Sequence, residues 1–206
     1  ACRGSGGKAP SLRMISAQTL LDAYASGWFP MAVSPGDIRW YSPDPRGVIP
    51  LDTFHVSRRL ARAIRTRGFD IRVDSAFEEV IVACSQRPDA DGNWIDREII
   101  ESYCNLHALG HAHSVETWRA DALVGGLYGV ALGGAFFGES MFHRTGDASK
   151  AALVALVERL RARGYALLDT QWVTDHLAQF GAIEIPRRRY LRLLGEALKT
   201  EAAFNE

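Results

Sequence analysis

Two periods run through the apolar residues of this chain. Segments with apolar residues every three or four positions read as amphipathic helices, and segments that alternate read as strands. Ser16 is placed to cap a first helix carrying Leu20, Leu21 and Tyr24, with Gly27 as its stop. Trp28-Phe29-Pro30-Met31 follows as a compact apolar turn, and Ile38 to Tyr41 as a strand. The run Ser42-Pro43-Asp44-Pro45-Arg46-Gly47 breaks regular structure, because each proline constrains itself and the residue before it. A small first domain, 1–45, is expected to end there and a larger one, 46–206, to begin.

The second domain opens with a helix capped by Ser57 and reaching about Arg67. Leu60, Ala61 and Ile64 mark its packing side, while Arg58, Arg62 and Arg65 fall within ~60° of one another on the other side. No acidic residue lies within the helix to pair with them, so the row is either a solvated face or a phosphate-binding one. A strand over Phe69 to Val73 and a helix capped by Ser75 come next, then a turn over Asp91 to Ile95. Asp96 caps a helix with Ile99, Ile100, Tyr103, Leu106 and His107 inward, followed by a strand from His111 to Trp118.

Val124 to Gln171 reads as strand, turn, strand, helix, strand. Its first strand is rich in glycine, which predicts that another backbone or a ligand comes close. Strand alternation puts Phe137, Glu139 and Met141 on one face, and Leu167, Asp169 and Gln171 on one face of the last strand. A carboxylate beside an amide at the end of an apolar strand is the first place to look for chemistry. The intervening helix, Ser149 to Arg163, has Leu153, Leu156, Val157 and Leu160 as its buried stripe. Thr174 caps a short helix, and Pro186-Arg187-Arg188-Arg189 opens the last one, where three cations oppose the helix dipole.

Composition narrows the class. With 47% hydrophobic and 23% charged residues, the 206-residue chain is an ordinary globular one. Lys plus Arg (24) equals Asp plus Glu (24), so only local arginine clusters suggest an anionic partner. No apolar run is long enough to span a bilayer, so no membrane is expected. Residues 1–12 lack the apolar core of a signal peptide and are expected to be disordered. Cys2, Cys84 and Cys104 form no CxxC pair and are odd in number, which fits reduced thiols and a cytoplasmic location. His107 and Cys104 belong to a helix but His111 and His113 to a strand, and no spacing unites them, so no metal site is predicted.

Linked motifs are more specific than these periods. They run through Trp40-Tyr41-Ser42-Pro43-Asp44-Pro45-Arg46, Leu106-His107-Ala108-Leu109-Gly110-His111-Ala112-His113-Ser114-Val115-Glu116 and Leu123-Val124-Gly125-Gly126-Leu127-Tyr128-Gly129-Val130. They continue through Phe137-Gly138-Glu139-Ser140-Met141-Phe142, Ala148-Ser149-Lys150, Asp169-Thr170-Gln171 and Gly181-Ala182 to Ile185-Pro186-Arg187-Arg188. In this order they resemble the bacterial leucyl/phenylalanyl-tRNA–protein transferases, from about Ala17 to Leu194. The resemblance implies an α+β fold, with a small N-terminal domain and a larger GNAT-like domain whose sheet is mainly antiparallel. It implies transfer of Leu or Phe, and Met less well, from leucyl-tRNA or phenylalanyl-tRNA to the N-terminal α-amine of proteins starting with Arg or Lys, marking them for regulated proteolysis. It also implies an aminoacyl pocket at Leu127, Met141, Leu156, Leu160 and Leu168, an adenosine site at Met31 and Trp94, and acceptor-stem contacts from the Arg58 helix. The family usually carries a glycine-rich leader that residues 1–13 do not match. It commonly has Trp at the position of Met31, which offers less stacking area.

The chemistry can be stated from the residues. An aminoacyl ester is already activated, so no cofactor is expected. The enzyme must hold a neutral amine against the ester carbonyl and stabilise the oxyanion. Gln171 is placed to accept from the amine, Asp169 to orient either, and Glu139 to bind the acceptor's positive N-terminus or the adenosine end. A monomer suffices for this. Two other readings stay open. An acyl-CoA-dependent N-acyltransferase lacks its pyrophosphate loop here, since Arg144-Thr145-Gly146-Asp147 ends in an acid. A non-catalytic RNA-binding module would leave Asp169 and Gln171 unused.

Overall fold

A computed structural model describes residues 14–86 and 94–205. The expected disorder at the start and most of the turn before Ile95 lie outside these residues. In the small N-terminal part, α1 (Ala17–Ala25) precedes the hairpin of β1 (Phe29–Ser34) and β2 (Asp37–Tyr41). Ser16 caps α1 by accepting from the Thr19 amide at 3.1 Å. The apolar turn expected at Trp28 to Met31 is instead the start of β1, because Phe29, Pro30 and Met31 pair across from Tyr41, Trp40 and Arg39.

β3 (Arg46–Ile49) then enters a seven-stranded sheet with β4 (Asp70–Val73), β5 (Ala112–Arg119), β6 (Ala122–Leu132), β7 (Ala135–His143), β8 (Leu167–Gln171) and β9 (Ile183–Ile185). The strand order is β4-β5-β6-β7-β8-β3-β9, antiparallel except between β7 and β8. The fold is therefore α+β with a mainly antiparallel sheet. One face is covered by α1, α3 (Phe77–Ser85), α4 (Arg97–Ala108) and α7 (Arg187–Ala197). The other is covered by α2 (Arg58–Thr66), α5 (Ala148–Ala162) and the chain around Phe204. The short α6 (Asp175–Ala178) follows β8.

Three local expectations change. Ser75 does not cap α3 by its side chain. The Glu116 carboxylate of β5 accepts from the Ser75 and Ala76 amides at 2.9 and 3.0 Å, so the helix is capped from a neighbouring strand. Phe137, Glu139 and Met141 do not share a face. A bulge lets Tyr128 pair with Ser140 but Gly129 with Gly138, so Glu139 is the extra residue. Phe137 then packs toward α1 while Met141 packs on the α5 side. Leu167 and Asp169 share a face, but Gln171 leaves it, because its φ is +58°.

The glycines of β6 are explained by close backbone approach. A Cβ at Gly125 would lie 2.6 Å from the Ala148 Cβ and 2.9 Å from the Ala148 carbonyl carbon. The first turn of α5 is thus seated directly on the sheet.

Candidate active site

β7 and β8 pair only from Ala135↔Leu167 to Phe137↔Asp169, although β7 runs on to His143. Between the diverging strands lies a cleft of about 500 Å³. Leu127, Met141, Leu153, Leu156 and Leu168 form its apolar floor. Phe29, Met31, Trp94 and Trp172 form an aromatic-rich wall, and Glu139 and Gln171 also line the cleft. Met31 and Trp94 come from separate elements joined by a hydrogen bond from the Ala32 amide to the Trp94 carbonyl at 3.1 Å.

The structure brings together most of the predicted site. Leu160 is the exception in the pocket set. It sits one turn beyond Leu156 on α5, fully buried in the core, and does not line the cleft. Leu153, one turn earlier, does.

Asp169 is the exception in the catalytic set. It faces away from the cleft, into a fully buried ion pair with Arg46 of β3. The guanidinium donates from Nε to Asp169 Oδ1 at 2.9 Å, from Nη2 to Oδ2 at 2.6 Å, and from Nη1 to the Gly27 carbonyl at 3.1 Å. The Tyr190 hydroxyl donates to Asp169 Oδ2 at 2.7 Å, and the Gln171 amide to Oδ1 at 2.9 Å. The guanidinium also lies 5.0 Å from the Phe29 ring centroid and 4.5 Å from that of Tyr190. Burying two charges costs several kcal/mol each, and only two-pronged geometry with satisfied lone pairs offsets it. That condition is met here. Asp169 therefore acts on the site through the Gln171 backbone.

Opposite it in the ladder, Gly47 faces Gln171. A Cβ at Gly47 would lie 2.5–2.9 Å from Trp172 backbone atoms, so only glycine lets the chain turn there. The turn sends the Gln171 side chain into the cleft, where its Nε2 donates to Glu139 Oε1 at 3.2 Å. The Tyr103 hydroxyl lies 3.5 Å from Glu139 Oε2 and is hydrogen-bonded to that of Tyr24. Burial pushes the Glu139 carboxyl up to about 8, against hydrogen bonding from Tyr24. The Asp169 charge adds to the rise, while Arg46 and Tyr103 oppose it. Glu139 therefore keeps its proton at neutral pH, although one side of it meets the cleft.

Arg58, Arg62 and Arg65 are exposed along α2, and none makes an ion pair with a described residue. Arg67, at the end of α2, pairs with Asp147 at 3.2 Å. That contact fixes α2 beside the start of α5, whose Ser149 and Leu153 line the cleft. Asp147 itself is the N-cap residue of α5, so a carboxylate stands at that helix terminus.

Comparison with known sequences decides between the open readings. The family model described as Leucyl/phenylalanyl-tRNA protein transferase matches residues 48–195, and that for the N-terminal domain of the same family matches residues 13–44. A leucyl/phenylalanyl-tRNA–protein transferase of Herpetosiphon aurantiacus is 57% identical over 193 residues, covering 93% of this chain and 99% of that protein. The chain belongs to the leucyl/phenylalanyl-tRNA–protein transferase family. It is an aminoacyltransferase. The homologous transferase of Phenylobacterium zucineum is 58% identical over 191 residues, covering 91% of this chain and 86% of its own. Among solved structures, L-PGS from Bacillus licheniformis aligns with a TM-score of 0.42 at 15% identity, over 74% of this chain and 51% of its own. A GCN5-related N-acetyltransferase-like protein from Streptococcus suis aligns at 0.40 and 16%, over 82% and 64%.

In this transferase the contacts that periodicity did not reveal are those that hold others in place. Arg46, Gly47 and Tyr190 act across the chain, and so do Tyr24 and Tyr103, whose helix positions were readable but whose hydroxyl partners were not. Arg46 and Asp169 are 123 positions apart, beyond the reach of any local pattern. The one available signal for Arg46 was its place in the motif after Pro45.

Proposed function

We propose that the cleft receives the charged end of leucyl-tRNA or phenylalanyl-tRNA and passes the aminoacyl group to the α-amine of a protein beginning with Arg or Lys. The observation that carries this reading is the Gln171–Glu139 pair poised over a floor of leucines and a methionine. The Leu or Phe side chain rests on that floor, and the terminal adenosine lies against Trp94 and Met31. Such a pocket selects by shape, at ~1–3 kcal/mol per misplaced methyl, so branched Val and Ile are disfavoured but not abolished.

The amine nitrogen attacks the ester carbonyl carbon. A C–N bond forms, the bond to the ribose oxygen breaks, and the ribose hydroxyl leaves with a proton lost by the amine. Gln171 has its amide nitrogen committed to Glu139, which leaves its carbonyl oxygen to accept from the amine. An α-amine titrates at ~7.7–8.0. A carboxyl held at about 8 exchanges a proton with it at little cost in free energy. The α2 arginines meet acceptor-stem phosphates. All these groups come from one chain, so a monomer suffices, and the reading puts the enzyme in the cytoplasm, with the charged tRNA it uses.

Incubation with radiolabelled leucyl-tRNA or phenylalanyl-tRNA and a peptide starting with Arg tests the reading. Label should pass to the peptide from both donors, and none from labelled acetyl-CoA. Transfer from acetyl-CoA alone would establish the other activity.

A further inference from the structure

The Trp172 indole is 42% exposed. Nine large apolar side chains are exposed among the described residues, and Trp172 is the one of them that lines the cleft. Its place is fixed from two sides. Its backbone rests on Gly47, and its ring packs nearly perpendicular to that of Phe29, with centroids 5.3 Å apart and planes at 87°. It follows Gln171 directly. A group bound at Gln171 by its α-amine therefore has its first side chain within reach of this indole.

We propose that the exposed Trp172 face is the platform that recognises the basic first side chain of the acceptor. The inference rests on the transfer reading above and assigns its acceptor subsite. A guanidinium or ammonium is attracted to the face of an indole by the ring quadrupole, and a guanidinium also stacks on it flat. Glu139 is the only acidic residue among the described ones lining the cleft, and its carboxyl is already engaged with Gln171 and Tyr103. An aromatic platform accepts both Arg and Lys, because it needs charge and a flat or compact head rather than one hydrogen-bonding pattern.

The test is kinetic, with Trp172→Leu, Trp172→Ala and Trp172→Phe, each checked for an unchanged melting curve. Acceptor peptides begin with Arg, Lys or Ala, and the donor is leucyl-tRNA. Trp172→Leu and Trp172→Ala should lower kcat/KM for the Arg and Lys peptides by about 3- to 30-fold, mainly through KM. The Ala peptide should change less than about twofold, and Trp172→Phe should fall between wild type and Leu. The donor KM should stay the same. An unchanged ratio of Arg to Ala peptide in Trp172→Leu overturns the inference. So does a rise in donor KM instead, which would give the indole to the nucleic acid. Wild type that transfers nothing from leucyl-tRNA would overturn the transfer reading itself, a result distinct from either.

Discussion

Gln171 keeps a left-handed backbone, φ +58°, that costs a non-glycine residue ~1–3 kcal/mol. The turn it makes aims the Gln171 amide into the cleft, where the proposed reaction uses it. Gln171→Gly should therefore melt no lower than wild type, yet lose most of its single-turnover transfer at saturating tRNA. Scanning calorimetry and rapid-quench assays would show both, and full activity in this variant would remove Gln171 from the chemistry. Glu139 gives a second expectation with a definite sign. Its carboxyl titrates at about 8 when folded and at ~4.3 when unfolded. Between those values the folded state holds a proton that the unfolded state has lost, so stability falls as pH rises through that window. Glu139→Gln should remove that part of the slope and be relatively more stable at pH 9 than at pH 6. The transfer rate of wild type should rise toward pH 8 with two ionisations, Glu139 and the amine, and that of the variant with one. Melting curves and pH–rate profiles measured in parallel would expose a variant that matches wild type at both. The sequence made Asp169 and Gln171 legible as a pair. It did not show that they turn apart, since alternation assumes a regular backbone and nothing in Leu-Leu-Asp-Thr-Gln marks a left-handed residue.

Helix α5 carries two leucines one turn apart with different duties, which periodicity alone cannot separate. Leu156 borders the cleft and Leu160 lies beneath it in the core. Leu156→Ala should alter the ranking of Leu-, Phe-, Met- and Val-charged tRNAs. Leu160→Ala should leave the ranking intact and cost ~2–5 kcal/mol of stability. Competition assays with urea unfolding would reverse the assignment if the two outcomes were exchanged. Both leucines fit the same stripe, and depth along it depends on how α5 sits on Gly125, a tertiary contact. Helix α2 behaves differently, because its arginine row was readable in full from its own spacing. Charge reversal at Arg62 should weaken every charged tRNA alike and flatten the log–log salt dependence by roughly 0.7–0.9 per lost phosphate contact. An aminoacyl-adenosine donor without the stem should react at nearly the normal rate. Titrations giving equal slopes for wild type and Arg62→Glu would leave the row as a solvated face.

At the scale of the whole molecule, the elements and their order were largely legible, because helix caps, glycine stops and apolar periods agree along most of the chain. What the sequence did not yield was the bulge at Glu139 and the partnering of distant polar groups, both decided by how strands pair rather than by any one strand. The N-terminal part is not an appendage. Leu20, Tyr24 and Phe29 lie in the same core as Phe137, Tyr190 and Leu194. The buried ion pair draws on the same arrangement, with Gly27 and Arg46 meeting Asp169 and Tyr190. These four residues span most of the sequence, and the ribosome makes them in that order. A growing chain thus acquires Gln171 before the hydroxyl that completes its anchor has been synthesised. The hydrogen bonds around Asp169 are complete only once Tyr190 of α7 has emerged. On the proposed reaction, partly made copies would hold Gln171 less firmly, and so draw less on the charged tRNA that the ribosome itself is consuming.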